Sequence, residues 1–288
     1  MEWINIIVQG ILVGGLYALF ATGLSLIFGV MRLVNIAHGD LIIAAAYLAY
    51  TVIQLTGLHP LASLVVVLPL SALFGYGLQL AVLNRTLDKG ILPPLLVTFG
   101  LSIIIQNFLL ETFSADSRRL NAGAIEISSF SLMPGLDIGY VPLLTFACAV
   151  AVVWGLQYLF YHSPMGRSFR AVSDDPEVSQ LMGLNNRTVY AAAMALSMVV
   201  VAIAGVLLAI RSNFDPFMGP GRLIFGFEAV IIGGLGNLWG TLAGGVILGV
   251  AQAVGAQIDP GWQLLAGHIV FLLILAVRPQ GLFPKGVA

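Results

Sequence analysis

Long apolar runs without a single charge decide what this chain can become. They cover 3–31, 41–84, 90–110, 138–166, 188–210, 229–258 and 260–277. A helix needs about 20 apolar residues to cross a bilayer, so nearly every run is long enough to span one. Only 9% of the residues are charged, against roughly 25% in soluble domains. A chain with so few charges cannot cover a water-facing surface, and the lipid bilayer is its expected solvent. The expected fold is all-α and polytopic, one transmembrane domain over 1–288, since no shift in composition marks a second domain.

Two runs are too long for one helix. Gly57-Leu58-His59-Pro60 breaks the 41–84 run, because proline removes a donor and restricts the residue before it. The first piece, about 41–56, is then short for a span. Gly233-Gly234-Leu235-Gly236-Asn237 divides 223–258 and makes its first half a half-helix or re-entrant segment. Eight or nine crossings result, some of them broken. The run from Trp3 to Met31 has no basic segment before it and is too long for a signal-peptide core, so it reads as a retained membrane helix. Trp3, Trp239 and Trp262 fall near expected span ends, where aromatic anchors sit.

Alternating the spans with the N-terminus outside places Arg32, Arg85, Lys89, Arg167, Arg170, Arg187, Arg278 and Lys285 in the cytoplasm. Arg118, Arg119, Arg211 and Arg222 remain outside, which follows the positive-inside bias. The largest outside loop is about 111–140. A net charge of −1 argues against nucleic acid as a partner. The single cysteine, Cys148, excludes an internal disulfide and reads as a packed thiol.

One polar island, about 163–187, interrupts this pattern on the cytoplasmic side. Asp175 has the chemistry of a helix N-cap, with Pro176 at the first helical position and Glu177 in the first turn. Val178, Leu181 and Met182 fall at i, i+3 and i+4, one face of a helix. Gly183 can take the left-handed conformation that ends it. Two turns are marginal alone, so the helix packs either on its own membrane domain or into a groove of a soluble protein. The chain has no Gly-Lys dipeptide, so no P-loop exists for ATP. Energy comes from a partner or from an ion gradient.

Ionisable groups close to lipid are costly and often functional. His38 and Asp40 flank Gly39 at the start of a span, as interfacial caps or as functional groups. Glu228 sits inside an apolar segment, where a carboxylate needs a partner or a proton. Its options are an ion pair or gate, a substrate contact, or a loop position. His268 stands alone on an apolar helix and reads as a packing residue. Asp40-LIIAA and Glu228-AVIIGG echo each other: one acid, four apolar residues, two small ones. The first enters the membrane from inside and the second from outside, as an inverted repeat would. Gly236, Gly240 and Gly244 recur every four residues, as do Gly245 and Gly249, and Gly10 and Gly14. That spacing lets helices approach closely in lipid. No third ligand stands near His38 and Asp40, so no metal site is expected. No cofactor-binding motif is recognisable, and HExxH and G-x-S-x-G are absent, so no catalytic residue is assigned.

The chain resembles the shorter, H-type permease subunits of bacterial ABC importers for branched-chain amino acids. The likeness rests on GGLYALFATGLSLIFGVMRLVNIAHGDLIIAAAYLAY near the N-terminus, with Asn35, Ala37, His38 and Gly39. It continues through Arg170-Ala171, Asp175-Pro176 and Met182-Gly183-Leu184-Asn185, and through Phe227-Glu228-AVIIGGLGNLWGTLAGG. The resemblance implies a type II ABC importer-like fold in the bacterial inner membrane. It makes Arg170, Asp175, Pro176, Val178, Leu181, Met182 and Gly183 the coupling surface for cytoplasmic ATPase subunits. Further partners would be a second, non-identical permease and a periplasmic or lipid-anchored substrate-binding protein. A largely apolar pathway suits Leu, Ile or Val side chains, with Asn35, Gln106, Asn107 and Asn237 available to the zwitterionic end. His38, Asp40 and Glu228 complete the pathway or gating candidates. Relatives handle other small solutes, amides and aromatic carboxylates among them. An ion-coupled secondary transporter is the competing reading; only Asp40 and Glu228 could bind its ion, and it leaves the island idle.

Overall fold

The computed structural model describes residues 2–90, 92–133 and 136–284; Lys285, counted above as cytoplasmic, lies outside the described residues. The chain forms α1 (Glu2–Met31), α2 (His38–Thr56), α3 (Pro60–Ala81) and α4 (Leu92–Phe113). The short α5 (Ala124–Ile127) and a hairpin, β1 (Ser129–Met133) with β2 (Leu136–Gly139), follow. Then come α6 (Tyr140–His162), α7 (Pro164–Asp174), α8 (Pro176–Leu181) and α9 (Asn186–Arg211). The chain ends with α10 (Gly219–Gly233), α11 (Leu238–Ile258) and α12 (Gln263–Val277). Among the described residues, eight helices are long and apolar enough to cross a membrane. They are α1, α2, α3, α4, α6, α9, α11 and, with the 3-10 turn before it, α12. At 15 residues, α10 reaches only about 22 Å, shorter than the hydrocarbon core.

The expected breaks fall where the backbone chemistry puts them. Gly57 takes φ 68° and closes α2 by donating to the Ile53 carbonyl, while His59 caps α3 ahead of Pro60. Gly234 (φ 103°) and Gly236 (φ 78°) turn the chain between α10 and α11, and Asn237 Oδ1 caps α11 by accepting from Gly240 N at 3.0 Å.

The two most buried spans are α1 and α9, and α12 is the least buried. After α1, residues 32–37 do not simply turn into the next span. They double back along α1, so that His38 Nε2 lies 2.9 Å from the Phe20 carbonyl. Helix α2 therefore starts at mid-depth. From the opposite end of the bundle, residues 212–218 double back after α9, and α10 starts against the start of α2, Gly219 on Gly39. It runs to the island end, where Gly236 packs on Gly29 near the end of α1.

Packing confirms an inverted repeat. Helix α1 packs along α11 as α9 packs along α3; α10 contacts α1, α11 and α12 as α2 contacts α9, α3 and α4. The repeat is thus α1–α4 against α9–α12, with α6 to α8 between. The acid-led echo does not superpose within it: Asp40 is the third residue of its helix and Glu228 the tenth. The equivalent points are the two mid-depth helix starts. Small residues make the closest contacts. Gly10 and Gly14 meet Gly249 and Gly245, which holds α1 to α11, while Gly240 and Gly244 meet Gly233 and Ala229, which holds α11 to α10. Gly236 lies before α11.

Candidate functional site

Two helix N-termini meet at mid-depth, and each carries the positive end of a dipole. The Asp40 carboxylate lies between them. It is buried, packs against Gly219, accepts from Ser102 Oγ at 2.5 Å and from Gln106 Nε2 at 3.0 Å, and so ties α2 to α4. A negative group here offsets the two abutting positive ends. Asp40 is therefore no interfacial cap: the residue before α2 is Ala37, without a side-chain capping bond. His38 is buried against Phe20, and its Nδ1 has no partner. Asn35 is buried in the returning segment, where Oδ1 accepts from Ala37 N at 3.1 Å and Nδ2 is unpartnered.

The second half carries a matching tie. Glu228, buried on α10, accepts from His268 on α12, Nδ1 to Oε1 2.5 Å, so His268 has a partner and Glu228 is not in a loop. In each half a buried acid on the mid-depth helix holds the peripheral span. Gln106 joins this arrangement. Asn107 does not: it is exposed beside Ile103, Ile104 and Phe108 and bonds its own helix at the Ile103 carbonyl. Asn237 sits at the island end, capping α11 and donating to Phe283 O at 2.8 Å.

Arg222, expected in an outside loop, is in the first turn of α10, because residues 212–218 carry the chain back into the bundle. Arg211 ends α9. On α1, Tyr17 donates its hydroxyl to Gln252 Oε1 at 2.6 Å.

In the island, Asp175 Oδ1 accepts from Glu177 N (2.9 Å) and Val178 N (3.0 Å), and α8 follows as expected, with Gly183 at φ 88°. Ser179 pins α8 from behind, bonding Asn186 Oδ1 at 2.9 Å. Its other face is open: Val178 is 52% exposed, Leu181 87% and Met182 80%. Arg170 does not share that face. Its guanidinium turns inward to the Phe160 carbonyl and covers the Tyr161 ring at 5.0 Å. Helix α7 has no counterpart in the sequence reading, although Ser163 and Pro164 are a cap and first-turn pair; Ser163 Oγ accepts from Gly166 N at 2.9 Å. Phe169 and Val172 bury α7, and Ser173 Oγ donates to Gly29 O at 2.6 Å. Among the described residues, no group of three His, Cys, Asp or Glu side chains is placed to hold a metal.

An inverted repeat of broken helices, with a rigid apolar knob at one end, defines a multi-pass membrane transport domain. The family is specific: the chain belongs to the branched-chain amino acid transport system permease components, whose model matches residues 6–277. It is 29% identical to the high-affinity branched-chain amino acid transport system permease protein BraD of Pseudomonas aeruginosa, over 99% of this chain and 96% of that one. Identity to the Escherichia coli K12 permease protein LivH of the same description is 26%, over 96% and 94%. The fructose import permease protein FrcC of Rhizobium meliloti is 30% identical over 77% of this chain and 63% of its own length. No solved structure matches significantly.

Proposed function

We propose that this chain is the membrane-spanning subunit of an ATP-driven importer for branched-chain or other hydrophobic amino acids. Separate cytoplasmic ATPase subunits supply the energy. The observation that carries this reading is the outward face of α8. A two-turn helix presenting Val178, Leu181 and Met182 to solvent, while Ser179 and the Asp175 cap fix it from behind, leaves apolar area that a partner cleft would cover. The names of the BraD and LivH relatives support the substrate class. A second, non-identical permease, a periplasmic or lipid-anchored binding protein and an inner-membrane location follow from the family.

The chain would do no chemistry of its own. Closing of the ATPases would displace α8, and α7 would carry that movement to α1 through Ser173 and to α6 through Arg170. Asp40 and Glu228, with Ser102, Gln106 and His268, would keep each mid-depth helix and its peripheral span moving together. Asn35 and His38, with buried polar atoms left free, stand at the point where the halves meet.

The test is co-purification. A Val178→Asp/Leu181→Asp double variant should insert normally and lose the ATPases. ATPases retained at the wild-type level would sink the coupling assignment, and uptake driven by a proton or sodium gradient without them would favour the ion-coupled alternative.

A further inference from the structure

The two halves of the repeat differ at their peripheral spans. Helix α12 lies directly on α11, with Gly255 against Ala266 and Gly267 against Gln252. Its counterpart α4 packs on α2 but makes no comparable contact with α3, the counterpart of α11. The gap is a cleft of about 460 Å³. Leu41, Ala45 and Leu48 of α2 and Met198 of α9 form its floor, with Phe74 of α3 and Ile105 of α4 in its walls. The lining is almost wholly apolar: Thr51 and Thr112 spend their hydroxyls on the Tyr47 and Phe108 carbonyls of their own helices, at 2.9 and 2.7 Å. Phe74 and Phe108 are exposed, so the cleft opens sideways, where lipid lies.

Depth and size decide what can fill it. The cleft follows α2 from Leu41, next to mid-depth Asp40, to Thr51, a rise of about 15 Å. One leaflet contributes the same length, half of a hydrocarbon core about 30 Å thick. Spread over that rise, about 460 Å³ gives a mean width of roughly 5–6 Å, against about 10–12 Å for a helix with its side chains. A helix of another subunit is too wide to enter, whereas a single extended hydrocarbon chain fits. Water does not settle in an apolar cavity, and an empty cleft forfeits the dispersion contacts of its lining. Charge completes the site at the outer end. Phe113 lines the cleft there, and Arg118 stands over it, its guanidinium 5.9 Å from the ring centre and donating to Phe113 O at 2.8 Å. Arg118 is partly exposed and forms no ion pair among the described residues. Its bonds to Tyr50 and Phe113 leave guanidinium donors unspent, which suits a phosphate. We propose that one acyl chain of an outer-leaflet phospholipid occupies the cleft, with its phosphate at Arg118, and holds α4 away from α3. This needs only the membrane spans and does not rest on the importer reading.

The test uses the full chain with its co-purifying subunits, in nanodiscs of phosphatidylethanolamine and phosphatidylglycerol. The probe is a phosphatidylglycerol with a diazirine at the end of one acyl chain, and labelled residues are mapped by peptide mass spectrometry after illumination. Leu41, Ala45 and Met198 are buried, whereas Ile104 on α4 faces outward. Surrounding lipid can reach Ile104 but meets the other three only by entering the cleft. Label is expected on all four. Ala44, which also lines the cleft, offers a plug: Ala44→Trp should lower the floor label severalfold and leave Ile104 unchanged. A diacylglycerol with the same diazirine chain lacks the phosphate and should label the floor severalfold less. Label confined to Ile104 in the wild type would overturn the proposal without recourse to any variant, and so would floor label that a folded Ala44→Trp protein retains in full. Floor label in the isolated chain but not in the assembly would overturn it by making a partner subunit the occupant. Floor label abolished by excess leucine would overturn it by giving the cleft to the solute. Equal floor label from the diacylglycerol would overturn the part assigned to Arg118.

Discussion

Replacing Gly39 with alanine should damage the fold at the point where its two halves meet. A Cβ there would lie 2.8 Å from the Gly219 carbonyl carbon, 2.9 Å from Leu223 N and closer still to the Gly219 oxygen. Carbon atoms pack comfortably at about 3.5–4.0 Å, so the carbonyl carbon alone would force α10 to retreat by roughly 0.7–1.2 Å, and the nearer oxygen by more. Every obstructing atom is backbone, and no rotamer change relieves it. Overpacking of this kind costs about 1–3 kcal/mol, and a retreat of α10 also moves Gly219 off the Asp40 carboxylate. Because backbone alone obstructs, the upper figure of about 3 kcal/mol applies; alanine regains up to about 1 kcal/mol of helix propensity, leaving a net loss of about 2 kcal/mol. Gly77 is the control: it is exposed on α3, and a Cβ there meets nothing within 4 Å. Thermal unfolding of the detergent-solubilised protein, followed by a maleimide dye on the single, half-buried Cys148, reads the difference. Gly39→Ala should melt several degrees below wild type and Gly77→Ala at or slightly above it. A Gly39→Ala protein as stable as the Gly77→Ala control would refute the close approach of α2 and α10.

Three further outcomes follow from the same geometry. Gly183 sits at φ 88° with open space around it, so Gly183→Val pays only the left-handed backbone penalty of about 1–2 kcal/mol; ATPase association should fall more for valine than for asparagine in a pull-down. Glu228→Ala leaves His268 without its acceptor and should lower the melting temperature by an amount matching about 1–3 kcal/mol, while Glu228→Gln keeps an oxygen there and should lose less. Gly245→Ala would put a Cβ 2.6 Å from Ala18 N and 2.7 Å from Gly14 O, so it should destabilise the α1–α11 contact strongly, whereas Gly155→Ala, with nothing within 4 Å, should be neutral.

Local punctuation was readable in the sequence; the depth of each segment was not. Gly57, Pro60, the Gly233–Asn237 turn and the Asp175 cap act through their own backbone, so their spacing alone located the ends of α2, α10 and α8. Charge-free length located the spans for the same reason. A returning segment leaves no such mark. Residues 32–37 and 212–218 look like ordinary polar connections, and only packing shows that they lead back into the bundle, carrying Asp40 and Arg222 to mid-depth. Ser102 was missed as the partner of Asp40 because a serine in an apolar run has no signature until its neighbour is known. The glycines are a mixed case. Their spacing announced close packing, but a four-residue repeat does not name the partner helix, and Gly14 against Gly245 is a contact across most of the chain.

Non-helical backbone inside a membrane bundle must find its hydrogen bonds within the protein, and this requirement accounts for polar residues that otherwise have no evident purpose. In the first returning segment, Asn35 Oδ1 accepts from Ala37 N at 3.1 Å and Thr98 Oγ1 from Ile36 N at 3.3 Å. In the second, Asp215 accepts from Phe217 N, while Phe214 exchanges backbone bonds with Arg118, N to O at 2.8 Å and N to O at 2.9 Å in the reverse direction. Each segment thus uses one acceptor of its own, Asn35 or Asp215, and the halves differ in the second source: the Thr98 side chain in the first, the backbone at Arg118 in the 111–140 loop in the second. Arg118 donates in turn to the Tyr50 hydroxyl at 2.6 Å, with its guanidinium over the Tyr50 ring at 4.7 Å, which fixes that part of the loop to α2. Part of the large 111–140 loop is therefore a structural plug for the second half. The inverted repeat is symmetric in its helices and asymmetric in what closes its breaks, and the closure contributed by 111–140 lies at the end of α9, where Leu120 N donates to Ala209 O and Arg119 Nε to Ile210 O. Any movement that opens the second break has to shift this loop, whereas the first can rearrange within the bundle.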